Sequence, residues 1–263
     1  MSANKELQEM LDFAISIITR SGVIARKHFR SSLVINTKSE TQYDPVTRAD
    51  REIENFLHKH IQQQYPGHGI IGEEHGGSKG RRYTWIIDPI DGTRGFISGS
   101  PMWGSLLGVM ENNRPVLGLM HQPILRETFF AGPEATWLKS GKNLKKIETS
   151  KKVSLDEAIL YCTHPSMFNS KSELKAFQNV EKACLYSRYG ADCYGYCLLA
   201  AGYIDLVIEA DLQAYDIIPL IPVIKGAGGV ITDWEGGQAL KGGRVVAAAN
   251  KKLHRQAMQL LNQ

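Results

Sequence analysis

The stretch Trp85-Ile86-Ile87-Asp88-Pro89-Ile90-Asp91-Gly92-Thr93 ends an apolar run in two carboxylates three residues apart, with a proline to bend the chain and Gly-Thr to open a new turn. A single aspartate after a strand is commonly a helix cap. Two of them around a proline, followed by Gly-Thr, aim both carboxylates at one point and suit a hard divalent cation such as Mg²⁺. The N–H groups of Gly92 and Thr93, at a helix start, would meet a phosphate oxygen. Ile71-Gly72-Glu73-Glu74 sets paired acids at the mouth of a glycine loop, and Tyr215-Asp216 precedes the run to Gly226-Ala227-Gly228-Gly229. Asp44-Pro45-Val46-Thr47-Arg48-Ala49-Asp50 adds another acid where a helix begins. Each motif alone reads equally as a cap, a turn or a solvated face. Together they make an acid-rich centre in a basic chain, and carboxylates gathered at one point repel unless cations sit between them. That is the physical case for two or three Mg²⁺ ions.

The elements that must position these acids are legible in the spacing. Leu7, Met10, Leu11, Ala14, Ile15, Ile18 and Ala25 form the stripe of an amphipathic helix, and a second helix over 48–64 carries Ile53, Phe56, Leu57 and Ile61 on one face. Val34, Ile35 and Thr37 suggest a short strand. Ile70-Ile71 and 83–87 read as strands separated by a glycine-rich loop. Residues 106–110, 115–121 and 127–131 read as antiparallel strands, with Asn112-Asn113 as hairpin turn. Beyond a lysine-rich stretch at about 139–152, strands at 159–162, 204–208, 230–232 and 245–248 alternate with helices at about 170–183, 192–202, 216–226 and 250–261. This order predicts an α+β half (1–140) carrying most of the acids, then an α/β half (150–263) contributing Asp216. Pro222 predicts a kink in the helix that follows Asp216.

The 263 residues, 43% hydrophobic and 22% charged, exclude disorder, and no apolar run approaches the ~18–20 residues of a membrane span. The net charge is +4. The densest basic cluster (Lys139, Lys142, Lys145, Lys146, Lys151, Lys152) lacks aromatic interleaving, so it reads as a solvated linker rather than a nucleic-acid surface. Four cysteines without a CxxC pair are no disulfide framework. Cys193 and Cys197 read as small buried hydrophobes on one helix face. Glu6, Glu9 and Asp12 stand where a signal peptide would carry Lys or Arg, which makes the cytoplasm the expected location. The spacing Asp88-x-x-Asp91 is too long for an aspartyl-phosphate DxD pair. No GxSxG elbow, GxxxxGK[ST] loop or HExxH pair is present.

DPVTRAD at 44–50, GEE at 72–74, WIIDPIDGT at 85–93 and YD…GAGG at 215–229, in this order from about Lys38 to Asn250, resemble the motifs of the inositol monophosphatase family of Mg²⁺-dependent phosphatases. The resemblance implies a layered αβαβα sandwich. It implies a first metal held by Glu73, Asp88 and the Ile90 carbonyl, a second by Asp88, Asp91 and Asp216, and a third by Asp50 with Glu73. Thr93 and Asp50 would orient an attacking water, and Gly92 and Thr93 amides would take the phosphate. Tyr215 departs from the tryptophan common before the last aspartate, which should leave ligation by Asp216 intact. The segments 96–104 and 189–194 resemble the histidinol-phosphate phosphatase branch more than the inositol branch. A histidinol phosphate substrate carries an ammonium and an imidazole, to which Asp192 and Glu209 would pair, with Arg188 reaching phosphate or imidazole. Trp103 in the first segment reads equally as a core aromatic. Inositol monophosphate, a bisphosphorylated nucleotide, and a non-catalytic metal- or phosphate-binding role are the alternatives. Neither nucleic acid nor membrane is expected as a partner, and a homodimer stays open.

Overall fold

In the computed structural model, which describes residues 3–31, 35–37, 45–132 and 135–263, helix α1 (Ala3–His28) forms on the expected stripe, with Met10, Leu11, Ala14, Ile18 and Ala25 buried. Strands β1 (Ile35–Thr37) and β2 (Pro45–Thr47) pair antiparallel. Val34, where the strand was expected to begin, lies outside the described residues, as do Lys38 and Asp44 of the motif region. Helix α2 (Arg48–Gln64) starts on a capping box in which Thr47 and Asp50 exchange bonds, and it buries Ile53, Leu57 and Ile61.

The larger sheet contains β3 (Gly69–Gly72), β4 (Gly76–Ser78), β5 (Tyr83–Asp91), β6 (Gly104–Glu111), β7 (Arg114–Gln122), β8 (Glu127–Ala131), β9 (Thr136–Ser140) and β10 (Asn143–Ile147). Its order is β10-β9-β8-β7-β6-β5-β3-β4, antiparallel except where β3 runs beside β5. Helix α3 (Thr93–Ser98) leaves the end of β5. The turn between β6 and β7 is Asn112-Asn113, both at positive φ (48° and 65°), the conformation a tight two-residue hairpin requires.

The second half supplies β11 (Ile159–Cys162), α4 (Lys171–Ala183), β12 (Tyr186–Tyr189), α5 (Asp192–Ala200), β13 (Leu206–Leu212), α6 (Ala214–Ile217), α7 (Leu220–Gly226), β14 (Val230–Asp233), β15 (Gly243–Ala248) and α8 (Lys251–Leu261). Its sheet runs β12-β11-β13-β15-β14, with β11 parallel to both neighbours. Helices α1 and α2 cover one face of the larger sheet, α5 and α7 lie between the sheets, and α4 and α8 close the far side. The layers are therefore αβαβα, with an apolar cluster in each interval. Cys193 and Cys197 are buried, free thiols within the middle interval. Among the described residues no helix is long and apolar enough to cross a membrane.

Three local expectations are corrected. Lys139, Lys142, Lys145 and Lys146 belong to the β9–β10 hairpin rather than to a linker, the turn being made at Gly141 with φ 59°. Their charge and exposure make the stretch read as solvated chain, and on β10, which ends the sheet, lysines discourage further pairing. The glycine loop after β3 contributes a strand of its own, β4, paired back onto β3. The helix expected over 216–226 is divided into α6 and α7 at Ile218-Pro219; Pro222, in the first turn of α7, lacks the N–H that would have bonded the Ile218 carbonyl, so the interruption lies one turn before the proline.

Candidate active site

The end of β5 is shaped by one surplus residue. Asp88 stands opposite Leu106 and Asp91 opposite Gly104, so three steps on β5 answer two on β6. Side chains three apart on a regular strand face opposite ways, and a bulge re-aims them. Ser105 Oγ donates to the Pro89 carbonyl at 2.7 Å and fastens the bulge. Asp216 arrives from the first turn of α6, which packs against β5, and its Oδ2 accepts from Gln213 N at 2.7 Å. One carboxylate oxygen from each of Asp88, Asp91 and Asp216 lies within 4.8 Å of the other two.

Glu73 sits in the turn after β3. Its N–H donates to the Ile87 carbonyl at 3.1 Å, and its side chain is close enough to Asp88 for its charge to raise that carboxyl. Asp50 faces the same neighbourhood from α2, but its Oδ2 is committed to the helix cap, accepting from Thr47 N at 2.8 Å and Thr47 Oγ1 at 2.6 Å. Glu73 and Asp50 thus flank the aspartate trio without being part of the three-way cluster. The Ile90 carbonyl accepts from Thr93 Oγ1 at 3.0 Å, which orients that hydroxyl at the mouth of α3.

Burial, followed by repulsion from Glu73, Asp91 and Asp216, pushes Asp88 well above the ordinary carboxylate range. Burial likewise raises Asp91 to about 7, against the opposing pull of a hydrogen bond from Cys193. Asp216 is raised by burial and by Asp91, and burial raises Asp50 to about 6. Asp88 Oδ1 is buried with no hydrogen-bond partner among the described residues. Crowded, dehydrated carboxylates with an orphaned acceptor fit a hard divalent cation, and an all-oxygen donor set suits Mg²⁺.

A cavity of about 300 Å³ opens beside the trio, with Gly92, Thr93, Arg94, Thr163, Asp192 and Glu209 among its lining. Its outer wall belongs to the second half of the chain. Asp192 holds a left-handed backbone (φ 45°) and its N–H donates to Thr163 Oγ1 at 3.1 Å. The next amide, Cys193 N, donates to Asp91 Oδ2 at 2.6 Å, joining α5 to the acidic trio. Gly92 has φ 86°, and a Cβ there would lie 3.1 Å from Asp192 Cβ and Cγ, so glycine permits both the turn and the close approach of Asp192. Glu209 is buried and accepts from Thr163 N at 2.8 Å and Tyr196 Oη at 2.9 Å. Burial, then repulsion from Asp91 and Glu209, raises Asp192, with Arg94 opposing.

Arg188 is exposed on the edge strand β12 and is not among the residues lining the cavity; Arg94 is. Trp103 is fully buried, packed on Phe96 and Phe29 at ring distances of 4.8 and 5.6 Å, which makes it a core residue. Thr163, Tyr196 and Arg94 were not singled out from the sequence. Thr163 and Tyr196 act on Glu209 from 46 and 13 residues away, across separate elements, so no local spacing announces them. Arg94 directly follows the DGT element, a proximity that could have drawn notice.

The sequence matches the profile described as "Inositol monophosphatase family" over residues 6–263. It is 38% identical to "Bifunctional phosphatase IMPL2, chloroplastic" of Arabidopsis thaliana, covering 98% of this chain and 77% of that protein. It is 32% identical to a histidinol-phosphatase of Mycobacterium tuberculosis, covering 96% and 97%. Among solved structures, an inositol monophosphatase from Zymomonas mobilis superposes with a TM-score of 0.87 at 34% identity, covering 100% of both chains.

Proposed function

The chain belongs to the inositol monophosphatase family of Mg²⁺-dependent phosphomonoesterases, and on that premise we propose that its substrate is histidinol phosphate. The observation that carries this reading is the second acidic wall. Asp192 packs directly over Gly92, beside the N–H groups proposed to receive the phosphate, with Glu209 deeper in the same cavity. In histidinol phosphate the ammonium stands on the carbon next to the one bearing the phosphate ester, so a carboxylate matched to it must lie close to the phosphate. A neutral polyol needs hydrogen bonds there and gains nothing from concentrated negative charge.

In this reading Glu73, Asp88 and the Ile90 carbonyl hold one Mg²⁺, Asp88, Asp91 and Asp216 a second, and Asp50 with Glu73 a third. Bound magnesium supplies an acidified water and charge neutralisation for in-line displacement at phosphorus. The chain's own groups do the positioning. Thr93 Oγ1, its proton directed to Ile90 O, offers its lone pairs to a water proton, and Asp50 aligns that water from α2. Gly92 and Thr93 amides receive phosphate oxygens, and Asp192 and Glu209 hold the cationic end of the leaving alcohol.

The test is a side-by-side measurement of kcat/KM on histidinol phosphate, inositol 1-phosphate and a bisphosphorylated nucleotide at saturating Mg²⁺. A preference of at least tenfold for the cationic ester is expected. Equal or reversed preference overturns the substrate assignment, and absence of turnover on all three overturns the catalytic one.

A further inference from the structure

We propose that Glu54 is a positioning residue that holds Glu73 in place against the repulsion of the aspartate trio; the inference rests on the magnesium reading above and adds a residue to it. Glu54 lies on α2 one turn beyond Asp50 and is 1% exposed. Its Oε2 accepts from Glu74 N at 2.8 Å, and its Oε1 accepts from His75 N at 3.0 Å and stands 2.9 Å from His75 Nδ1. The carboxylate also lies directly against the turn. A Cβ on Gly72 would come within 2.2 Å of Glu54 Oε1, so the glycine is what allows this contact.

A buried carboxylate costs several kcal/mol of desolvation unless its bonds are well made. Among the described residues the one ion-pair partner of Glu54 is His75, whose side chain is half exposed. The energetic outlay is spent on two successive main-chain amides that follow Glu73, while Glu73's own amide is tied to Ile87 O on β5. The peptide on either side of Glu73 is therefore clamped, from β5 before it and from α2 after it. Glu73 and Asp88 repel each other, and so do Glu73 and Asp216. A loose turn would relieve that repulsion by swinging Glu73 toward water and dispersing the ligand set. The clamp withholds that escape, so the cost of gathering the acids is met on folding rather than on cation binding. Because Asp50 and Glu54 share one helix face, a single element sets both flanking acids.

The experiment compares wild type, E54Q and D205N. Asp205 is an equally buried carboxylate (1% exposed) elsewhere in the fold, bonded by Ser150, Lys152 and Ile159 N, and serves as the control for simple loss of stability. Mg²⁺ binding is titrated by calorimetry without substrate, amide exchange is followed at Glu74 and His75, and kinetics are run on one phosphomonoester at limiting and saturating Mg²⁺. E54Q replaces an acceptor with a donor facing a backbone N–H. It is expected to bind Mg²⁺ at least tenfold more weakly, to exchange those two amides faster, and to need at least tenfold more Mg²⁺ for half-maximal rate. Its KM for the ester at saturating Mg²⁺ should stay within twofold of wild type. D205N should melt lower with an unchanged Mg²⁺ isotherm. An E54Q protein that merely melts lower, with wild-type Mg²⁺ affinity, overturns the assignment. If E54Q does not fold, E54D, which keeps the charge and shortens the reach, is expected to show the same tenfold weakening, and an unmoved isotherm is again decisive against it. A wild-type chain that takes up no Mg²⁺ sinks the functional reading itself, an outcome distinct from normal wild-type binding with an unmoved variant.

Discussion

Replacing Asp192 by asparagine isolates its charge from its shape. The backbone at Asp192 is left-handed, a conformation asparagine tolerates as well as aspartate does, whereas alanine would add strain. Asparagine also leaves the Asp192 N–H to Thr163 and the Cys193 N–H to Asp91 in place, since both are main-chain bonds. What is lost is one charge-assisted hydrogen bond to an ammonium, a class of bond that contributes about 1.5–3 kcal/mol. Converted at about 1.4 kcal/mol per decade, this predicts a roughly 10- to 150-fold fall in kcat/KM on histidinol phosphate. On inositol 1-phosphate, with no cation to hold, D192N should stay within about threefold of wild type. Phosphate release at saturating Mg²⁺ measures both. If the two esters lose equally, Asp192 shapes the site without reading substrate charge, and the argument from the second acidic wall fails.

Asp91→Asn should cut turnover by at least about 10³-fold and abolish the Mg²⁺-induced rise in melting temperature, with the unliganded fold intact because the amide oxygen still accepts from Cys193 N; wild-type thermal response would remove Asp91 from the ligand set. Tyr196→Phe deprives the buried Glu209 of one of its donors and should lower stability by about 1–3 kcal/mol in urea unfolding, an unchanged midpoint being the contrary result. Burial lowers His121 to about 4, its Nδ1 donating to Glu127 O at 3.0 Å and its Nε2 lacking a partner among the described residues. The folded chain therefore resists a proton that the unfolded chain accepts near pH 6.5. Stability contributed by the neutral ring is full above that pH and is lost as pH falls toward 4, about 3 kcal/mol in all. His121→Asn should flatten this part of the wild-type stability profile, and identical slopes in the two proteins would contradict the account.

What sequence could reveal depended on whether a signal was local. Asp88, Asp91 and Asp216 were visible because each interrupts or precedes an apolar run, and the structure does bring them within 4.8 Å. The device that turns Asp88 and Asp91 to one side was not visible, since a bulge is a property of two strands and only one carries the motif. Strand β9 was hidden because its adjacent apolar residues Trp137 and Leu138 pack on opposite faces and show no polar alternation, and β4 because its glycines read as loop. Thr163 and Glu54 act across 46 and 20 residues of sequence, on Glu209 and the Glu73 turn respectively, and each looks ordinary where it stands. Arg188 shows the reverse error, a charge near a promising segment that the edge strand carries outward.

The odd residue between Asp88 and Asp91 gives this stretch an unusual kind of fragility. Exchanging Pro89 or Ile90 for another residue alters fit but preserves the parity that sets which way each aspartate looks. Removing either would restore a regular pleat on which the two aspartates, then two apart, still share a face, but it would erase the bulge and delete one of the two carbonyls presented there, that of Pro89 held by Ser105 or that of Ile90 held by Thr93. In this segment the tally of residues therefore matters as much as their identity: a lineage could drift in spelling here, but a single codon lost would undo the bulge and the backbone carbonyls it presents while leaving the strand able to pair.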